Sequence, residues 1–259
     1  MQKYRMESGL RFKSWTVIIW EEIREKRISW MQERNEKMNW TQKDILYEDG
    51  QILVCRKHAG MAVQSKGIGQ MDMESALRNY LKGGFVGIVQ RLDQPVEGVL
   101  VFGKTSQATA ALNRQQQNGK MKKIYLAAFT GVPESQEGVM EDILVKDGRQ
   151  NISKVTDKSN PQGKKAVLSY KILQWKEPIG LAEVTLQTGR HHQIRVQMSH
   201  HGMPLWADGK YKKELLPEEQ GKAIGLCAYR LEFEHPKTGK KCKFQIEPEG
   251  DIFKKLSAY

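Results

Sequence analysis

Between Val86 and Phe102 the chain spells extended, turn, extended, and this pattern limits what it can fold into more than any other stretch. Val86 to Arg91 and the apolar run from Gly98 to Phe102 are predicted strands, with Gln94-Pro95 breaking the extension between them. Proline donates no backbone hydrogen bond and restrains the residue before it. Residues two apart on a strand share a face, so Arg91 and Asp93 are expected to look at one ligand while Leu92 turns to the core. Asp93 then sits where an element ends, the usual place for an active group. By itself an Arg-x-Asp pair there is more often a surface ion pair or a turn cap, because motifs this short are unspecific.

Further strand signals surround this element. Ile45 to Glu48 and Ile52 to Cys55 flank Asp49-Gly50, a hairpin signal in which both turn positions tolerate positive φ. Ile124 to Phe129, Leu181 to Leu186, Leu226 to Phe233 and Lys241 to Ile246 supply more sheet. Helices are expected from Ser75 to Lys82, from Thr105 as N-cap through Gln117 to a stop at Gly119, and after the Thr188-Gly189 turn up to a C-cap at Gly202. The polar, basic run from Lys146 to Lys165, with Gly148, Pro161 and Gly163, is expected to be an irregular loop or a crossover.

With 259 residues there is enough chain for one large domain or two small ones. Residues 1–40 differ from the rest: they hold four of the six tryptophans, and Ile23 to Met38 has the pattern of a charged helix. They are expected to be either an appended amphipathic helix or an extension upstream of a functional start at Met38, leaving 41–259 as the main domain. The run Trp15 to Trp20 is too short to span a bilayer, so no membrane partner is expected. Cys55, Cys227 and Cys242 lack C-x-x-C spacing, which argues against disulfides or a zinc finger and suits a reducing cytoplasm. His191, His192, His200 and His201 invite a metal, but adjacent pairs do not present a tetrahedral ligand set, and no metal is expected. No dinucleotide loop and no Walker loop occurs, which removes most of the case for a nucleotide cofactor.

A formal net charge of +12 points to a polyanion, leaving RNA, DNA or an acidic surface open. Arg190, His191 and Arg195 after the Thr-Gly turn, and the lysines 120, 122 and 123 before a strand, are cations placed to meet phosphate or carboxylate.

Four separated blocks, in order, resemble the RluA-type pseudouridine synthase family across Ile45 to Ile246. They are Arg91-Leu92-Asp93 with Gly98; Lys123-Ile124-Tyr125-Leu126-Ala127; Thr188-Gly189-Arg190-His191-His192-Gln193-Ile194-Arg195 with Asp208 and Tyr211; and Leu226-Cys227-Ala228 leading to Phe233 and His235-Pro236. The resemblance implies an α+β fold, a mixed and mostly antiparallel sheet with flanking helices and a central RNA-binding cleft. It implies a cofactor-free isomerase acting on uridines of ribosomal or transfer RNA; a monomer is the default expectation, and no DNA partner is expected. Asp93 would be the nucleophile or anionic stabiliser, ionised at neutral pH because an aspartate's reference pKa is about 3.9. Arg195 would be its cation, Tyr125 the stacking face for uracil, Leu226 the opposite wall, and Arg91 the filler of the vacated base position. Arg190, Lys57 and Lys123 would meet the backbone. The chain departs from the family at Gln90, Val96-Glu97, His58 and Gln197, which bears on the RNA chosen. The competing expectation is a catalytically idle RNA-binding or folding factor on the same scaffold.

Overall fold

The computed structural model describes residues 40–65 and 71–257. Trp40–Tyr259 is one compact unit. The expected extension over residues 1–40 lies outside the described residues except for Trp40, whose ring meets Tyr80 edge-on at 5.8 Å.

The strands are β1 Ile45–Glu48, β2 Ile52–Lys57, β3 Gly87–Ile88, β4 Glu97–Gly103, β5 Lys122–Thr130, β6 Glu137–Asp147, β7 Ile152–Thr156, β8 Lys164–Lys176, β9 Ile179–Leu186, β10 Leu226–Glu234 and β11 Lys241–Gln245. They form one 11-stranded sheet in the order β1-β2-β4-β10-β5-β9-β8-β6-β7, with β11 on β10 and β3 on β4. Among the described residues only β4 and β10 run parallel, so the sheet is mixed and mostly antiparallel. Among the described residues four α-helices flank it: α1 Met73–Tyr80, α2 Ser106–Gln117, α3 Gln193–His200 and α4 Asp251–Ser257.

Alternation along the strands divides the core. Leu53, Cys55, Leu100 and Phe102 pack under Met73 and Leu77 of α1. Tyr125, Ala127 and Phe129 pack on the same face under Ile194 and Met198 of α3. The intervening residues Ile52, Val54, Val99, Val101 and Ile124 face Leu112 of α2 and Ile252 and Phe253 of α4. A period of two on strands buried on both faces is what sorts these residues. Gly98 is fixed by the parallel pairing: a Cβ there would lie 2.4 Å from the Cβ of Ala228 on β10.

The α2 helix follows its local signals. Thr105 accepts from the Ala108 N–H, and Gly119 at φ 68 ends the last turn. The first helix starts two residues earlier than expected, because the Asp72 side chain accepts from Ser75 N and serves as its cap. In the β1–β2 hairpin the turn does not use positive φ at Asp49 or Gly50. Asp49 Oδ1 instead accepts from Gln51 N and Ile52 N at 2.7 and 2.9 Å, a side-chain turn that needs no left-handed residue.

Two expectations give way. The strand over Val86 to Arg91 shrinks to the two residues of β3, and Val89 to Val96 is irregular. Leu92 is partly buried against the core while Arg91 is exposed. Lys146 to Lys165 is no loop: it holds the end of β6, all of β7 and the start of β8, and its glycines and proline fall in the connecting turns. The strands are polar because their only apolar cover is small, Leu144, Ala166 and Val196 with Val155 and Tyr211 beside them. A half-solvated sheet end needs few apolar residues, and that thin pattern resembles a loop in sequence.

Candidate active site

Asp93 stands in the irregular stretch before β4, on the α3 side of the middle of the sheet. Backbone bonds fix its turn: Val96 N donates to Asp93 O at 3.0 Å, and Gly60 N to Gln94 O at 2.8 Å. Beneath it lies Lys57, at the end of β2 and fully buried. Its Nζ donates to the carbonyls of His58, Gln94 and Val96 at 3.1, 3.1 and 2.6 Å. Lys57 therefore does not reach an RNA backbone. Burial pulls its ammonium down to about 7, against the charges of Asp93 and Glu97.

The facing loop is knitted by two side chains. Thr188 Oγ1 accepts from Val167 N at 2.8 Å and donates to Gln193 Oε1 at 2.8 Å, which also accepts from Arg190 N at 3.0 Å. His192, in the left-handed region at φ 54, then turns the chain into α3. One turn of α3 later, Arg195 is aimed across at Asp93.

Arg195 is 4% exposed and donates through Nε and Nη2 to the two oxygens of Asp208 at 2.8 and 2.7 Å. Its Nη1 is left to reach Asp93 Oδ2 at 3.2 Å. The guanidinium also lies 5.3 Å from the centre of the Tyr211 ring. Burial acts to lower Arg195, and the hydrogen bonds and charge of Asp208, joined by Asp93, outweigh it and leave the group raised. The fork geometry of arginine serves both carboxylates at once.

His192 closes the other side. Its Nε2 is 3.5 Å from Asp93 Oδ2, and its Nδ1 is 2.8 Å from Tyr211 Oη. Ser153 N donates to Tyr211 Oη at 2.7 Å, which suits the tautomer with the hydroxyl hydrogen on the Nδ1 side and the ring proton on Nε2, the nitrogen facing Asp93. Burial, opposed by Asp93, lowers the imidazole to about 4, which keeps it neutral at pH 7. His192 thus faces the carboxylate.

Tyr125 on β5 and Leu226 on β10 belong to the buried cluster beneath this site, at 7% and 4% exposure, and Leu226 pairs with Ala127, two residues along from Tyr125. Burial, and then the Asp93 charge, pushes the Tyr125 phenol up, so it stays protonated. Lys123 is half-buried on the same side of β5, its Nζ 3.3 Å from where a Gly189 Cβ would be, and burial lowers it. Arg91 and Arg190 are exposed at the margin: Arg91 donates to Gln64 Oε1, and Arg190 Nε to Lys165 O at 2.8 Å. Asp93, Arg195, Tyr125 and Leu226 are thus gathered, Arg91, Arg190 and Lys123 ring them, and Lys57 lies below.

Asp208 and His192, which carry no role of their own in the sequence reading, complete the charge arrangement. Their local signals are slight, an aspartate in a tight loop after Ala207 at φ 55 and a histidine at a helix start.

A family model described as RNA pseudouridylate synthase matches residues 51–200, more than half of the 259-residue chain. Ribosomal large subunit pseudouridine synthase D of Neisseria meningitidis serogroup B is 33% identical over 231 residues, 83% of this chain and 60% of that protein. The chain therefore spans less than two thirds of that relative. Ribosomal large subunit pseudouridine synthase C of Pasteurella multocida is 31% identical over 228 residues, 86% of this chain and 69% of that protein. Among solved structures, human RNA pseudouridylate synthase domain containing 4 has a TM-score of 0.70 at 20% identity, covering 82% of this chain and 91% of that one, a likeness of fold.

Proposed function

Because the chain belongs to the RNA pseudouridylate synthase family, we propose that it isomerises uridines in structured RNA to pseudouridine without a cofactor. The N1–C1′ bond of the nucleoside breaks, the uracil turns over, and a C5–C1′ bond forms. C5 gives up a proton and N1 gains one, so no electrons enter or leave. Such a step needs an anion, a flat support for the freed base and a route for one proton.

The observation that carries this reading is the Asp93 carboxylate 3.2 Å from a guanidinium already locked by Asp208. Asp93 is the nucleophile or anionic stabiliser. Arg195 holds it in place, and a neutral His192 adds a hydrogen-bond donor without a second positive charge. Tyr125 offers a face on which uracil stacks, a contact worth ~1–3 kcal/mol, and Leu226 is the opposing wall. To reach them the nucleotide must leave its stack at a cost of a few kcal/mol. Arg91 substitutes for the departed base, and Arg190 and Lys123 hold phosphates.

Residues 41–259 form the catalytic domain, acting as a monomer in a reducing cytoplasm. No helix of the described residues is long and apolar enough to cross a membrane. Large-subunit ribosomal RNA is the first substrate to try, following what the relatives' names say of them, and transfer RNA the second.

The test is tritium release from RNA labelled at uracil C5, taken from a strain lacking the gene. Release by the wild type and none by Asp93→Asn is the expected result. Equal release by both would overturn the mechanism, and release by neither, with both folded and bound to RNA, would overturn the activity.

A further inference from the structure

Where β6, β7 and β8 meet the Gly189–His191 loop there is a cavity of about 490 Å³. Its wall carries Lys146, Lys164, Arg190, His191, Ser153 and Gln162. This is the segment whose sequence resembles a loop; as strands it presents its charges in register, with Lys146 opposite Ser153. Three of the wall residues are exposed cations, and among the described residues none of the three forms an ion pair with a carboxylate. Neighbouring cations elsewhere do: Lys165 pairs with Glu141 at 2.7 Å and Lys212 with Glu219 at 2.5 Å. A solvated basic face interleaved with acids would look like those. Here positive charge converges on a concavity with no internal counter-ion.

The cavity is tied to the active site by a stack of two rings. His192 lies 3.5 Å from Asp93, and His191 stacks on His192 with centroids 3.8 Å apart and planes 22° apart. The far side of that stack is cavity wall, and Ser153 Oγ, 2.9 Å from His191 Nδ1, fixes its ring. His191 thus borders the cavity while the Nε2 edge of His192, the ring it stacks on, faces Asp93. Consecutive nucleotides of an unstacked strand bridge such a ring pair easily, since an extended chain advances several ångströms per phosphate. The volume falls within the ~300–1,000 Å³ range of sites for small organic molecules, and the wall provides cations for phosphate and the Gln162 amide for a base edge.

We propose that this cavity is a subsite for the nucleotide flanking the target uridine, its phosphate held by Lys146, Lys164 and Arg190. The proposal rests on the synthase reading for what occupies Asp93, but it is tested by binding, which does not depend on turnover.

The probe is a fluorescein-labelled RNA hairpin whose loop holds one uridine among cytidines. One neutral methylphosphonate linkage is placed either beside the uridine or in the distal stem. Lys146→Gln/Lys164→Gln removes two exposed cations that the catalytic arrangement does not use. The slope of log affinity against log salt should become shallower by up to ~0.7, the value for one single-strand phosphate contact, with an unchanged melting temperature. The linkage beside the uridine should weaken wild-type binding and add nothing in the double variant, while the distal linkage should affect both proteins alike. On a turned-over RNA the variant should raise KM and keep kcat. An unchanged salt slope would overturn the subsite. Equal effects of near and distal linkages in the wild type would overturn its position beside the target. If the binding results hold and no RNA releases tritium, the synthase reading fails and the anion site stands.

Discussion

Arg195 and Asp93 are 102 positions apart and meet at 3.2 Å through the one guanidinium nitrogen that Asp208 does not occupy. The cation is thus shared between an aspartate that orients it, 1% exposed, and one whose side chain is 27% exposed. Replacing Arg195 with lysine keeps the charge and loses the fork. Displacing the carboxylate by about 1 Å can cost ~10²-fold, and a fall of that order in kcat is expected with little change in RNA affinity. Arg195→Leu leaves Asp208 buried and unpaired and should cost about 3–5 kcal/mol of stability, read by urea unfolding.

His192 gives a pH signature of the folded state. Its imidazole is held at about 4, below the ~6.5 of an unfolded chain. Between those values the unfolded chain takes up a proton that the folded one refuses, so stability falls as pH drops through the window. At about 1.4 kcal/mol per pKa unit the loss is at most about 3 kcal/mol. Unfolding free energies of wild type and His192→Phe at pH 7, 5.5 and 4.5 should converge as the pH falls.

Lys57 gives a second window of the same sign, on the alkaline side of neutrality. Its folded value of about 7 lies below the ~10.4 of a free lysine, so the unfolded chain binds more protons between them and stability rises with pH across that range. The cost of the buried ammonium is fully present below pH 7. Lys57→Met should flatten this slope and lower kcat by loosening the carbonyls of Gln94 and Val96. The salt dependence of RNA binding should not change; a shallower slope would return Lys57 to the RNA backbone.

Glu97 stands on the opposite face of β4 from the site and accepts from the N–H groups of Glu249 at 3.1 and 2.9 Å and Gly250 at 3.0 Å. Burial raises its carboxyl. Glu97→Ala should cost about 1–3 kcal/mol by stranding two donors, while Glu97→Gln keeps an acceptor and should stay within about 1 kcal/mol of wild type. Hydrogen exchange at residues 249–251 is the direct measurement. His58, between Asp44 at 2.8 Å and Glu249 at 2.9 Å, fastens the same segment. Two of the departures from the family's residues thus fasten the chain around Glu249.

What was legible in the sequence was local. Thr105 and Gly119 bound α2 because capping needs only neighbours in the chain. The mixed antiparallel sheet follows from the strand patterns and the four ordered blocks together. Lys57 was misjudged because a sequence displays a charge and not its burial, and the β7 and β8 region because a strand with one solvated face carries few apolar residues. Asp208 and His192 act only across space, through α3, and no spacing along the chain announces them. The pairing of Arg195 with Asp93 came from family likeness rather than from any local pattern.

The position of β10 sets an order of events during synthesis. Before Leu226 is made, β1 to β4 can form one sheet and β5 to β9 another, but β4 and β5 are joined only through β10. Asp93 belongs to the first half and Arg195 to the second. A nascent chain halted before Leu226 carries both residues of the central pair and has no seam to bring them together. Long-range closure of this kind is slow, so activity should appear only after the late strand has been inserted. One strand thus joins the half of the sheet that carries Asp93 to the half that leads to Arg195.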